Sequence, residues 1–415
     1  MTISADLPPI PRWTHSLCAT AALLSIALLA GCQTTAPVKP VAPPVAAEPP
    51  APHQLTADQP DFLKLPNMAA DKTPIRVGII LPFTNPSAGT RGLANAMLKS
   101  AELALYDSGN HDIVLMTADD TGTPADVAAA GQKLLAEGAE IIIGPLFSQS
   151  VAAVAPLARD KGVPVLAFST DRSVAGNGVY LLSFQPQSEV KRVISYAISQ
   201  GHKDFTALIP QTAYGDVVEQ TFRASVTASG GTVSDVERFV PNATAAMAPA
   251  TTAAKTKSDA IFIAQGGTTL RTIVSMLAYN GVDHDKVKLL GTGLWDDTSI
   301  TKEAMLTSGW FAAPPPDAAT AFETKYRDVY GSTPPQLATL AYDAVSLVAL
   351  LAPGQPYHRF TLAALTDPNG FAGIDGIFRF RPDGSLERGL AVLEVTPGGF
   401  TVVSPAPTTF QGQGS

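Results

Sequence analysis

Hydroxyls, a carboxylate and two rings fall just past the ends of β-branched apolar runs in this chain. Ser148 follows Gly144-Pro145-Leu146-Phe147, Ser169, Thr170 and Asp171 follow the run 163–168, Tyr214 precedes Gly215-Asp216, and Thr292 and Trp295 belong to Gly291-Thr292-Gly293-Leu294-Trp295. Hydroxyls beside the free amides of a helix start can hold a carboxylate. Ser148 either does this or caps its own helix. Tyr214 either closes over a ligand or packs in the core or at an interface. Trp295 either covers a ligand or fills a hinge. The chemistry on offer is binding. Catalytic patterns are missing: there is no GxSxG elbow, no HExxH and no phosphate loop ending in Gly-Lys-Ser/Thr. The six histidines are scattered without ligand spacing, so neither a metal nor another cofactor is expected. Asp119-Asp120 and Asp296-Asp297 could exchange a proton with a substrate, but they read more simply as turn or cap residues at strand ends. The chain is therefore expected not to be an enzyme.

The N-terminus carries a different chemistry. An apolar run over residues 16–30 follows a short segment containing Arg12 and ends in Leu29-Ala30-Gly31-Cys32. This is the layout of a secretory signal, and its last four residues resemble a bacterial lipobox, in which the cysteine is acylated. About 15 apolar residues fall short of the ~20 that span a bilayer. Residues 1–31 are thus expected to be a signal peptide, with Cys32 the lipid attachment site. The chain has only two cysteines; Cys18 lies in the signal and Cys32 would be consumed by lipid, so no disulfide is expected. Stability must come from a core, for which 46% hydrophobic content suffices. The net charge of −8 and the lack of basic clusters exclude nucleic acid as a partner.

Between Cys32 and the folded body, residues 32–72 are rich in proline and alanine. Proline holds φ near −65° and donates no amide hydrogen, so this stretch favours extended polyproline II. It reads as a flexible linker that reaches on the order of 120 Å when fully extended. From residue 75 onward, strand and helix patterns alternate. Strands are expected at 75–83, 113–118, 141–143 and 163–168, with helices between them, Thr123 capping the second helix and Pro124 at its first position. The rhythm restarts after Pro186, with strands near 205–209, 233–239, 260–264 and 287–291. This spacing belongs to βαβ units and parallel sheets covered on both faces. Two doubly wound, Rossmann-like α/β halves fit better than one sheet. Ligands then bind beyond the carboxyl ends of the strands, which is where the polar residues above fall.

In their order, IRVGIILPF, IIIGPLFS, VPVLAFST, the AYGD around Tyr214, LLGTGLW, the AYDA from Ala341 and FAGIDGIFRFRPDGS resemble the type I periplasmic binding proteins of the leucine/isoleucine/valine class. The resemblance covers nearly all of residues 73–403. It implies two lobes joined by three crossover hinges, here near Gln185, Trp295 and Leu347. One lobe would comprise 73–184 and 296–346, the other 185–295 and 347–404, with 405–415 a disordered tail. It also implies a small amino-acid-like ligand, its carboxylate near Ser148 and Ser169 to Asp171, its ammonium on an acid in the loop 290–294. That loop carries Thr292 instead; Asp296 and Asp297 are the nearest acids along the chain, and an ammonium buried without an acid costs several kcal/mol. Within the group, residues 180–231 are most similar to lipoproteins of the penicillin-binding protein activator (LpoA-like) kind. That likeness implies a periplasmic regulator of peptidoglycan synthesis, anchored by lipid to the outer membrane, with a bifunctional penicillin-binding protein as partner. The alternative is the substrate-binding protein of a branched-chain or other amino-acid ABC transporter.

Overall fold

Strands that are apolar on both faces are stable only where helices cover both sides. The chain builds two such sheets, seen in a computed structural model that describes residues 62–68 and 72–411. The signal peptide, Cys32 and most of the expected linker lie outside the described residues.

The first lobe contains β1 (Phe62–Lys64), β2 (Ile75–Leu81), α1 (Ala88–Ser108), β3 (Ile113–Asp119), α2 (Pro124–Ala136), β4 (Ile141–Ile143), α3 (Ser148–Asp160), β5 (Val165–Ala167) and β6 (Val179–Leu181). Its sheet runs β1-β3-β2-β4-β5-β6. All neighbours are parallel except β1, which pairs antiparallel with β3. Every residue of β2 is buried. Thr123 caps α2 by accepting the Asp126 amide, with Pro124 in the first turn, as its residue types dictate.

The second lobe begins with α4 (Pro186–Ser199), β7 (Asp204–Pro210), α5 (Ala213–Ala228), β8 (Thr232–Phe239), α6 (Ala243–Lys255), β9 (Ala260–Ile263), α7 (Gly267–Tyr279), β10 (Lys288–Gly291) and β11 (Trp310–Ala313). The chain then returns to the first lobe through α8 (Thr320–Tyr330), α9 (Thr339–Leu351), α10 (Leu362–Leu365), β12 (Phe378–Phe380) and β13 (Leu386–Arg388). It ends in the second with β14 (Ala391–Thr396) and β15 (Gly399–Ser404), giving a sheet ordered β15-β14-β11-β10-β9-β7-β8. Each sheet has an apolar core on both faces: α1 and α9 against α2 and α3 in the first lobe, α6 and α7 against α4 and α5 in the second.

Four expected boundaries are corrected. The second crossing lies after Ala313, not at Trp295. β11 pairs in parallel with β10, and Trp295, Ile300 and Leu306 pack into the second lobe's core. The third lies between Arg388 and Ala391, not at Leu347, because Leu340, Ala344, Leu347 and Val348 of α9 join Ala94, Met97 and Ala101 of α1 in the first lobe's core. Residues 62–64, expected in the linker, form the edge strand β1, and Leu65 just after it is buried. The tail is ordered at least as far as Phe410, which is buried and has the Arg379 guanidinium 4.5 Å from its ring centroid.

Candidate functional site

The loops beyond β4 and β5 face the start of α4, the loop beyond β7, and α5 across a cavity of about 940 Å³ between the lobes. Ser148, Thr170 and Asp171 line it from one side; Gln187, Lys191 and Tyr214 line it from the other. Parallel strands deliver Ser148, Thr170, Asp171 and Tyr214, because their carboxyl ends point the same way, whereas Gln187 and Lys191 come from the first half of α4.

Ser148 is the first residue of α3 and not its cap: the capping position belongs to Phe147, which makes no side-chain cap bond. The Ser148 hydroxyl is turned instead toward Asp171. The Asp171 carboxylate accepts the Ser173 amide at 2.9 Å and caps a short 3-10 turn. Its hydrogen bonds to Ser173, and to a smaller extent Ser148, hold its carboxyl below the usual range. Ser169 sits behind this corner as scaffolding. It is buried, its hydroxyl accepts the Asp171 amide at 3.1 Å, and its carbonyl accepts the Ser183 hydroxyl at 3.0 Å.

Across the cavity, Tyr214 follows the Thr212 cap of α5. Its hydroxyl and that of Thr292 are 2.9 Å apart, and burial pushes its phenol up. Thr292 is fully buried and also accepts the Leu294 amide at 3.4 Å, so it braces Tyr214 from behind. Trp295 does not reach the cavity. It is 0% exposed, its indole nitrogen donates to the Gln265 carbonyl at 3.1 Å, and its ring lies on Gly291, where a Cβ would collide with it. Trp295, read as either a ligand cover or a hinge filler, is a residue of the second lobe's core. The structure thus gathers Ser148, Thr170, Asp171 and Tyr214 at one cavity, puts Ser169 and Thr292 behind it, and removes Trp295.

One residue escaped the sequence reading. Glu189, in the first turn of α4, accepts the Gly293 amide on Oε2 at 2.9 Å. Gly293 leaves it room, since a Cβ there would lie 3.0 Å from Oε1. Burial pushes the Glu189 carboxyl up to about 7, opposed by the Gly293 amide and reinforced by Asp296. Asp296 is itself pushed up to about 6, first by burial and then by Asp375 and Asp297. An acid in a helix's first turn is ordinarily read as favouring the helix dipole, so its type and position gave no distinct signal. Among the described residues no group of three or more His, Cys, Asp or Glu side chains could hold a metal, and no helix is long and apolar enough to cross a membrane.

Comparison with known proteins gives this geometry its context. The family described as periplasmic binding protein matches residues 74–399. The chain is similar to the Leu/Ile/Val-binding protein BraC3 of Rhizobium johnstonii, with 24% identity over 38% of this chain and 45% of that protein. The chain spans less than half the length of the curated relatives it matches. Among solved structures, it is similar to the substrate-binding protein LivJ of Streptococcus pneumoniae in complex with isoleucine, with a TM-score of 0.57, 21% identity, and coverage of 80% of this chain and 100% of that one. It is equally similar to an R. palustris ABC transporter solute-binding protein in complex with benzoate, with a TM-score of 0.57, 20% identity, and coverage of 80% and 97%.

Proposed function

The chain belongs to the periplasmic binding protein family, and from that premise we propose that it is a solute receptor of an ABC transporter, of the branched-chain amino-acid class. The observation that carries this reading is the cavity shared by the two lobes, where Ser148, Thr170 and Asp171 from one strand-end corner face Tyr214 from the other. A concave site at the switch point of two parallel sheets, with a few convergent polar groups, is the usual form of a small-molecule site. The family consists of binding proteins rather than enzymes. BraC3 is a Leu/Ile/Val-binding protein and LivJ a branched-chain amino acid transporter substrate-binding protein, while the R. palustris solute-binding protein holds benzoate.

The regulatory reading, activation of a penicillin-binding protein, rested on residues 180–231. That segment folds into β6, α4, β7 and α5. These elements supply Gln187, Lys191 and Tyr214 to the cavity, so their sequence serves the cavity as well as it would serve a partner surface. The transport alternative is therefore the better supported of the two. Thermal unfolding with each of the twenty L-amino acids and with benzoate tests it. A ligand at about 100 times its Kd adds about 2.7 kcal/mol, which raises the melting temperature by several degrees. If no probe moves the transition while the described domain retains a penicillin-binding protein from an envelope extract, the regulatory reading takes its place.

A further inference from the structure

We propose that Lys191 takes a second carboxylate of the solute, so that the cleft selects dicarboxylates over solutes with one acidic group; this deepens the solute-receptor reading and rests on it. Lys191 lies one helical turn past Gln187 in α4, and both line the cavity. Its ammonium has no hydrogen-bond or ion-pair partner among the described residues. Arg172 lines the same cavity from the first lobe. Its ion-pair partner is the Asp383 carboxylate at 3.6 Å, with the two side chains 45% and 62% exposed. A pair so solvated contributes at most about 1 kcal/mol, and it leaves most of the guanidinium's N–H donors unused.

The acids that could neutralise these cations are committed elsewhere. Among the described residues Asp171 is the only acid lining the cavity, and its carboxylate accepts the Ser173 amide at 2.9 Å. On α5, Asp216 and Glu219 do not line the cavity; they are bound to Arg238 of β8 at 2.6 and 2.7 Å, and Arg223 adds a bond to Glu219 at 2.9 Å. The lining thus carries two cations against one acid, in a chain of net charge −8. Arg172 and Lys191 stand on different lobes. Bringing the lobes together sets like charges closer and strips water from both, which an anion between them offsets. The first carboxylate meets the Ser148 and Thr170 hydroxyls beside Arg172, and the second extends along α5 to Lys191. Space for a longer solute is present, because the lining follows α5 from Ala213 to Ala228, about 22 Å of helix. A solute ending in an apolar side chain would leave the Lys191 ammonium desolvated and unpaired.

Titration calorimetry on the full-length protein tests the inference. The probes are succinate, glutarate, adipate, L-aspartate and L-glutamate, the monoamide of each, the remaining L-amino acids and benzoate. A monoamide keeps the length of its diacid and loses the second charge. The expected result is that at least one diacid binds, at least about tenfold more tightly than its monoamide. Lys191→Gln loses at least about tenfold in affinity for that diacid and far less for the monoamide, while Lys191→Arg keeps most of the affinity for the diacid. Lys191 is exposed on α4, so both variants should unfold cooperatively at the wild-type temperature, which thermal unfolding checks. If monoamides, the other amino acids or benzoate bind at least as tightly as the diacids, or if Lys191→Gln binds the diacid as tightly as wild type, the inference fails and the receptor reading stands. Failure of every probe removes both.

Discussion

Glu189 makes stability depend on pH. Its carboxyl titrates near 7 in the folded protein and near 4.3 in an unfolded chain. Between those values the native state holds a proton that the unfolded chain has lost. Stability therefore declines as pH rises from about 4.5 to 7, and the full cost persists above 7. Glu189→Gln removes this contribution, while Asp296, pushed up to about 6, continues to titrate in both proteins. In urea unfolding without ligand, the variant should exceed wild type by on the order of 2 kcal/mol at pH 8 and match it at pH 4.5. Equal stability at both pH values would mean that the carboxyl is solvated in the native state. Ser148, Thr170, Asp171 and Tyr214 were legible in the sequence because each follows an apolar strand, and strand ends converge. Trp295 follows a strand too, but its ring folds back onto Gly291, a choice made by the space inside the second lobe.

At the level of elements, proline-rich composition hid a strand. Residues 62–64 fall within the region read as linker, yet Phe62 pairs with Met116 and Lys64 with Val114 at the edge of the first sheet. Leu63 packs against the first lobe's core, and Leu65 is 5% exposed within it. The arm thus joins the body at the edge of the first lobe, away from β6 and the crossing that follows it. Leu65→Ala should cost about 2–3 kcal/mol in chemical denaturation, as for other buried leucines. A spacer that only met the body at residue 75 would show no change. Three residues are too few for a period-2 pattern to register, and the partner edge that stabilises them is supplied by β3.

The whole molecule is threaded so that neither lobe is continuous. The first lobe needs α9, more than 150 residues beyond β6, to cover the face that α1 shares. Residues 72–184 alone should lack a cooperative unfolding transition by circular dichroism, because Met97, Ala101 and the β2 face would be exposed. Joined by a Gly/Ser linker to residues 314–388, they should fold cooperatively; joined to 296–346, which splits α9 and imports second-lobe core residues, they should not. Cooperative folding of 72–184 by itself would show that α9 is dispensable. From the sequence alone followed two doubly wound α/β lobes, the eight strands β2–β5 and β7–β10 in their chain order and the polar strand ends, because these depend on apolar periodicity and local turn chemistry. The later crossings, the burial of Trp295 and the arrival of Glu189 at Gly293 were decided only in three dimensions. Each depends on which surfaces fit together across more than a hundred residues of chain or inside a finished core, and no local pattern records that.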